Sequence, residues 1–283
     1  MFDRMVRSFE LAKSSWQVLK ADKELVLFPI LSGVGCILIL ITFALPFLAQ
    51  PDLLSFLSED ENQSVPFWAY VVVFLYYFCN YFIVVFFNAA LVSCAIIRFN
   101  GGNPTLADGI RTSFDRIPQI AAWAAVSATI GLLLKAVENS NEKAGRFISS
   151  LLGTAWTVMT YFVVPVLVVE KIGPIEAVKR SMSILKKTWG EALIGHWGLG
   201  FFSFLLMLPG IVLLVAGCFL LQVSVALGIT VVVLAVLALL VAGAAGAALN
   251  GIYISDMYQY ASTGQVPQGF AEATIRGAFV PQS

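Results

Sequence analysis

Long apolar stretches alternate with short polar ones along this chain, and six of the apolar stretches reach the length that a transmembrane helix needs, about 20 residues. They lie at approximately 26–48, 67–97, 118–135, 150–170, 193–216 and 220–250. The last two run together, so we place their turn near Gly217-Cys218, with Pro209-Gly210 as a competing break. The pattern predicts an all-α, polytopic transmembrane bundle of about six spans.

The polar stretches before the first, third and fifth spans share one short motif. It consists of an acid, two residues, a base, one residue, a serine and a large apolar side chain, at 10–16, 108–114 and 176–182. Around the first copy, apolar residues recur at helical spacing: Phe2, Met5, Phe9, Ala12, Trp16 and Leu19. Most charged side chains then fall on another face, which is typical of an amphipathic helix lying in the membrane interface.

Each motif copy heads two spans, which predicts three repeats of an amphipathic interfacial helix and a transmembrane hairpin. We expect one membrane domain over residues 1–283. Its repeat-like units cover approximately 1–97, 98–170 and 171–255, and a short tail covers 256–283.

Composition and charge agree with a membrane location. Hydrophobic residues make up 59% of the chain and charged residues 12%, whereas a soluble domain is about one quarter charged. Fourteen of the 17 lysines and arginines lie before the first span, at 98–117, at 171–192 or in the tail. By the positive-inside rule, this predicts a multi-pass protein of a prokaryotic inner membrane with both termini cytoplasmic. The net charge is zero and no basic face is visible, so nothing indicates nucleic-acid binding.

The bases of the three motif copies, Lys13, Arg111 and Lys179, are candidates to contact lipid headgroups, because lysine and arginine beside a membrane attract anionic lipids. The serines that follow them are interpreted as surface hydroxyls near headgroups or as packing contacts: Ser15, Ser113 and Ser181. This favours a non-catalytic protein whose partners are membrane lipids, anionic ones included. Its role is then that of a scaffold, a membrane organiser or a partner of another membrane protein. Association with further copies of this chain, as a homo-oligomer, is a second option for its partners.

A channel, a permease or a lipid-handling carrier is the alternative. Its path would be lined by uncharged polar residues, with Asn80 and Asn88 facing Thr157 and Tyr161. Hydrogen bonding inside the bundle is the simpler interpretation of such residues. The spans as drawn contain no acid or base at mid-length, which disfavours proton-coupled transport.

Recognisable catalytic arrangements are missing from the sequence. It contains no Ser-His-Asp arrangement, no H-E-x-x-H motif and no carboxylate pair within a span. His196, the only histidine, has no carboxylate or cysteine partners for a metal site. We therefore expect no enzyme activity, no cofactor and no metal.

Three segments carry a resemblance to a known family: Glu24–Ile30, GGNPTLADGIRTSFDRIPQI at 101–120 and FVVPVLVVEKIGPIEAVKRSMSILKKTWGEAL at 162–193. Together they resemble a family of prokaryotic multi-span membrane proteins that is known as a domain of unknown function. The resemblance implies a prokaryotic inner membrane and supplies no activity or site residues. The helix-plus-two-spans pattern is also similar to the membrane domain attached to some glycerophosphodiester phosphodiesterases, without their catalytic domain.

Overall fold

A computed structural model of the protein describes residue 13 and residues 15–49, 66–140 and 144–264, without the side chains of 47–49 and 187–198. Its regular structure is helical throughout these ranges, with no strand, so the all-α prediction is confirmed. Residues 15–21 are helical and a 3₁₀ helix spans Lys23–Val26. The α-helices are α1 (Leu27–Ala49), α2 (Phe67–Phe99), α3 (Leu106–Phe114), α4 (Ile117–Ser140), α5 (Ala144–Met159), α6 (Val163–Glu170), α7 (Pro174–Leu220) and α8 (Val225–Thr263).

Six segments of these helices are long and apolar enough to cross a membrane, which confirms the predicted number of spans. They are Lys23–Pro46, Phe67–Phe99, Ile117–Ser140, Ala144–Glu170, Leu199–Leu220 and Val225–Thr263. Many of their large apolar side chains are exposed, among them Leu38, Leu213 and Leu240. Lipid tails are the solvent that accepts such a surface without cost, so the fold is that of a multi-pass membrane protein.

The turn between the fifth and sixth spans differs from the predicted one. It lies at 221–224, where the N–H groups of Leu221 and Ser224 bond to the Gly217 and Leu220 carbonyls. Gly217 is inside α7, where a Cβ atom would come within 2.8 Å of the Val232 side chain. The glycine that suggested a turn therefore allows two helices of the hairpin to approach closely.

The competing break at Pro209-Gly210 is absent, and the sixth span ends later than predicted. Pro209 lies inside α7 and does not end it; proline is tolerated within membrane helices because the freed backbone groups find other partners. Helix α8 continues to Thr263, beyond residue 250, so residues 256–263 of the predicted tail are helical. The first left-handed residue after it is Gly264, the usual residue at such a helix end.

The fourth span is interrupted. Helix α5 ends at Met159, α6 begins at Val163, and residues 160–162 form a turn. Pro165 has no N–H to bond to the Tyr161 carbonyl and its ring crowds that group, which favours an interruption here, whereas the helix around Pro209 continues. The fourth span thus consists of two helices separated by residues 160–162.

The second and third motif copies continue differently into their spans. Asp115 and Arg116 separate α3 from α4, whose second residue is Pro118. The third copy runs without interruption into the fifth span as part of the 47-residue α7. Pro174 is the first residue of α7, where proline costs no hydrogen bond. The separate interfacial helix predicted for this copy is therefore the beginning of a longer helix.

The chain folds into two compact units. The first comprises residues 1–30, 90–110 and 183–283, and the second comprises 31–89 and 111–182. In the first unit, the 3₁₀ helix packs against α8, and Gly109 lies so close to α2 that a Cβ atom would come within 2.8 Å of the Ala90 carbonyl oxygen. The core of this unit includes Leu25, Phe28, Leu91, Leu249 and Tyr253.

In the second unit, α4 packs along α5 as a hairpin. The Trp123 and Trp156 rings stack across it, with their centroids 5.7 Å apart, and the Ser149 hydroxyl donates a hydrogen bond to the Leu134 carbonyl. Residues 50–65, between the first two predicted spans, lie outside the described residues, as do residues 1–12, residue 14 and the chain beyond Gly264.

Candidate lipid-binding helices and a polar pocket

The serine of the motif is fully buried in all three copies: Ser15, Ser113 and Ser181. Ser113 donates a hydrogen bond of 2.8 Å to the Phe86 carbonyl. Ser181 accepts one of 3.0 Å from the backbone N–H of Phe162. The Ser15 hydroxyl has no hydrogen-bond partner among the described residues. The serines therefore lie among packed side chains, as one of the two interpretations of the sequence proposed.

The base two residues before each serine is exposed: Lys13, Arg111 and Lys179. Successive helical residues are rotated by about 100°, so positions two apart lie on nearly opposite faces. When the serine is buried, the base two residues before it therefore lies on the exposed face of the helix. All three residues predicted to contact headgroups are therefore exposed, and the contact itself stays a prediction.

Large apolar side chains are exposed beside two of these bases. Phe114, three residues after Arg111, is 58% exposed, and Ile175, four residues before Lys179, is 69% exposed. Residues three or four apart share a helical face, so each base has an exposed apolar neighbour. In the first copy, the Trp16 ring meets the edge of Phe202 with the centroids 5.8 Å apart.

The acid of the second motif copy acts at a helix end. The Asp108 carboxylate accepts hydrogen bonds from the backbone N–H and the hydroxyl of Thr105, at 2.9 and 2.7 Å. The Asp108 N–H in turn lies 3.3 Å from the Thr105 hydroxyl oxygen. This reciprocal arrangement satisfies two groups at the start of α3, so the acid of this motif copy serves to begin the helix.

Within the first unit, a polar pocket of about 370 Å³ opens between residues 20–25 and residues 103–106. Arg98 holds its edge together by a two-point ion pair with Asp22 and a 2.8 Å hydrogen bond to Asn103. Lys20 and Lys23 line the pocket together with Glu24. The pair of Asp22 and Arg98 joins positions 76 residues apart, which is why the sequence alone did not indicate this pocket.

The hydrogen bonds and exposure of the four residues predicted to line a transport path do not indicate a shared site. Asn80 and Thr157 each donate a hydrogen bond to a carbonyl of their own helix, those of Tyr76 and Gly153. Asn88 and Thr157 are exposed, whereas Tyr161 is half-buried and meets the Phe162 ring edge-on. None of the four lines the polar pocket, and a cavity among them stays a prediction.

Asp256 is a buried acid that lies outside all the predicted sites. It is fully buried in α8, and neither carboxylate oxygen has a hydrogen-bond partner among the described residues. The predicted sixth span ends at residue 250, and Asp256 is the first residue of the predicted tail. Its signal was available: no proline or glycine interrupts 252–263, and Leu249 and Ile252 precede Asp256 at helical spacing. A buried ionisable side chain in such a helix is a mark of function by default.

Comparison with protein families shows to which family the chain belongs. Residues 67–270 match a family described as "Family of unknown function (DUF6159)". The match covers more than half of the 283 residues, so this multi-pass membrane protein belongs to that family. No curated protein matches the chain. The similarity to the membrane domain of glycerophosphodiester phosphodiesterases stays a prediction, since the family match does not bear on it.

Proposed function

We propose that this protein is a non-catalytic integral membrane protein that engages anionic lipids through its three motif helices and acts as a scaffold, a membrane organiser or a partner of another membrane protein. One observation carries the proposal: in every motif copy the serine is buried and the base two residues before it is exposed. A helix fixed to the bundle by one face presents Lys13, Arg111 and Lys179 on the other.

The chemistry of the exposed face suits a membrane interface. A base can reach lipid phosphates while an apolar neighbour such as Phe114 or Ile175 enters the acyl region. Each base near an anionic leaflet contributes roughly 1 kcal/mol of attraction. Three bases together therefore give a preference for anionic over zwitterionic lipid that is large enough to measure.

The orientation is part of the proposal. With six spans, both termini and all three motif helices lie on the same side, and the distribution of bases favours the cytoplasm of a prokaryote. The anionic headgroups of the inner leaflet are then the ligands nearest to Lys13, Arg111 and Lys179.

The test compares two triple variants in mixed micelles of phosphatidylglycerol and phosphatidylcholine. The first is Lys13→Gln, Arg111→Gln, Lys179→Gln. The control, Lys135→Gln, Lys143→Gln, Arg146→Gln, removes the same charge from the predicted outer side. Native mass spectrometry counts the lipids that each protein retains. We expect the first variant to lose its preference for phosphatidylglycerol and the control to keep it. Equal preference in both variants contradicts the proposal.

A channel, permease or lipid-handling carrier is the second candidate, and the interrupted fourth span favours it. Discontinuous membrane helices often form transport sites, although the N–H groups of residues 160–163 are all hydrogen-bonded in this structure. Tyr161 lies in the interruption and belongs to the predicted path, with Asn80, Asn88 and Thr157. Solute flux into proteoliposomes tests this function. A flux that Asn88→Leu leaves unchanged removes Asn88 from the path.

A further inference from the structure

The polar pocket of the first unit is formed by two segments that are distant in sequence. One is the turn from Lys20 to Leu25, and the other is Asn103 to Leu106, at the start of α3. Its volume of about 370 Å³ falls within the usual range for small-ligand sites, roughly 300–1,000 Å³. Most of its lining side chains are charged or polar, so a polar ligand fits it better than an acyl chain.

The charges that remain available in the pocket are mainly positive. Asp22 is paired with Arg98, so its negative charge is largely neutralised and has little effect on a bound ligand. Lys20 and Lys23 form no ion pair within the described part of the chain, and both are exposed. Glu24 is the remaining carboxylate of the lining. Two available ammonium groups opposed by one carboxylate favour an anion.

Some of the other polar groups near the pocket are already hydrogen-bonded. The Thr105 hydroxyl and N–H both bond to Asp108, and the Asn103 side-chain oxygen accepts from Arg98. Lys20 and Lys23 are the cationic side chains among the residues that line the pocket, so the electrostatic attraction of an anion comes chiefly from them. Lys20 lies over the Trp16 ring, its Nζ atom 5.5 Å from the centroid, and this contact limits where its ammonium group can reach.

We infer that this pocket binds a phosphate group, of the kind shared by anionic phospholipid headgroups and small soluble phosphates. The inference rests on the proposed engagement of lipid and extends it to a separate site, since none of Lys13, Arg111 and Lys179 lines the pocket. Lys20 and Lys23 bind the phosphate oxygens, and Glu24 weakens the binding by repelling them.

The experiment uses the full-length protein with both lysines changed, Lys20→Gln and Lys23→Gln. The matched control is Lys186→Gln, Lys187→Gln. Lys186 follows Leu185 shortly after the third motif copy as Lys20 follows Leu19 shortly after the first, and it does not line the pocket. One arm uses native mass spectrometry to count the phosphatidic acid molecules that the protein binds in mixed micelles of detergent and phosphatidylcholine. The other titrates sn-glycerol 3-phosphate calorimetrically.

We expect the pocket variant to bind the phosphate probe about tenfold more weakly, since each lysine near an anion contributes several-fold, and the control to bind as the wild type does. Glu24→Gln is expected to bind more tightly, an effect that damage to the fold would not produce. Binding in the lipid arm alone identifies a headgroup site, and binding in the soluble arm alone or in both identifies a site for the phosphate itself.

Three results overturn the inference: no binding in either arm, equal loss in the control, or weaker binding in Glu24→Gln. The triple variant Lys13→Gln, Arg111→Gln, Lys179→Gln separates this inference from the proposed function. If the triple variant loses its general preference for anionic lipid and still binds the probe, the two sites are independent. If only the triple variant has an effect, the pocket inference fails and the proposed function stands.

Discussion

The side-chain oxygen of Ser181 accepts a hydrogen bond from the backbone N–H of Phe162, at 3.0 Å, in the interruption of the fourth span. Both residues are fully buried. The Phe162 N–H cannot reach water there, and an unpaired N–H in such a place is costly. The serine of the third motif copy thus satisfies a backbone donor that the break in the helix leaves free.

Replacing Ser181 by alanine is expected to destabilise the protein by about 1–3 kcal/mol, because the Phe162 N–H loses its partner. Ser113→Ala removes a donor to the Phe86 carbonyl, which still lies inside helix α2, so its cost should be smaller. Thermal unfolding in detergent measures both, with the exposed Ser183→Ala as the control. The expected order is contradicted if Ser181→Ala unfolds at the temperature of Ser183→Ala.

Lys171 has a left-handed backbone conformation, with φ 58°, at the end of α6. This conformation costs a residue with a Cβ atom roughly 1 kcal/mol, whereas glycine adopts it freely. Lys171→Gly is therefore expected to raise the unfolding temperature. Lys171→Ala, which keeps the Cβ atom, should not raise it. A gain of equal size in both variants would show that the lysine charge causes the effect.

Gly109 is required for close packing in the first unit. A Cβ atom at this position would lie 2.8 Å from the Ala90 carbonyl oxygen, from Cys94 Sγ and from Phe28 Cζ. Gly109→Ala is expected to destabilise the protein by about 1–3 kcal/mol through this overpacking. Gly33→Ala is the control, because no heavy atom lies within 4 Å of a Cβ atom there. An unfolding temperature unchanged by Gly109→Ala would contradict the close approach.

Asp256 provides a test of whether a buried carboxylate has a hidden ligand. With no partner among the described residues, its charge is a cost to folding. Asp256→Asn keeps the shape and removes the charge, so we expect an unfolding temperature equal to or above that of the wild type. Asp115→Asn, at an exposed site, controls for the change in net charge. A clear loss of stability in Asp256→Asn would instead reveal a bound cation or another donor.

The six spans were predictable because apolar runs of membrane length are a property of the sequence itself. The turn at 221–224 was not, since residues 193–250 are almost continuously apolar and Gly217 can serve a turn or a close helix contact equally well. Asp256 was missed because the span was ended when its apolar character decreased, although the helical spacing continued.

Among the candidate sites too, those that depend on local sequence were predictable, and those that depend on contacts between distant residues were not. The three motif bases could be found by comparing segments of the chain, and their exposure follows from helix geometry once the serine is known to be buried. That burial depends on contacts such as Ser113 with Phe86, which local sequence does not specify. The polar pocket depends on Arg98 reaching Asp22 across 76 residues, and no short pattern encodes such a pairing.

A spin label at position 114 measures most directly whether the motif helices face lipid. Phe114→Cys is introduced in a variant without Cys36, Cys79, Cys94 and Cys218, labelled with a nitroxide and reconstituted into bilayers with phosphatidylglycerol. Asp108→Cys is the matched exposed position on the polar part of α3. Our account predicts that the label at 114 collides mainly with oxygen dissolved in lipid and the label at 108 mainly with a water-soluble nickel chelate. Preferential collision with the chelate at both positions would contradict it.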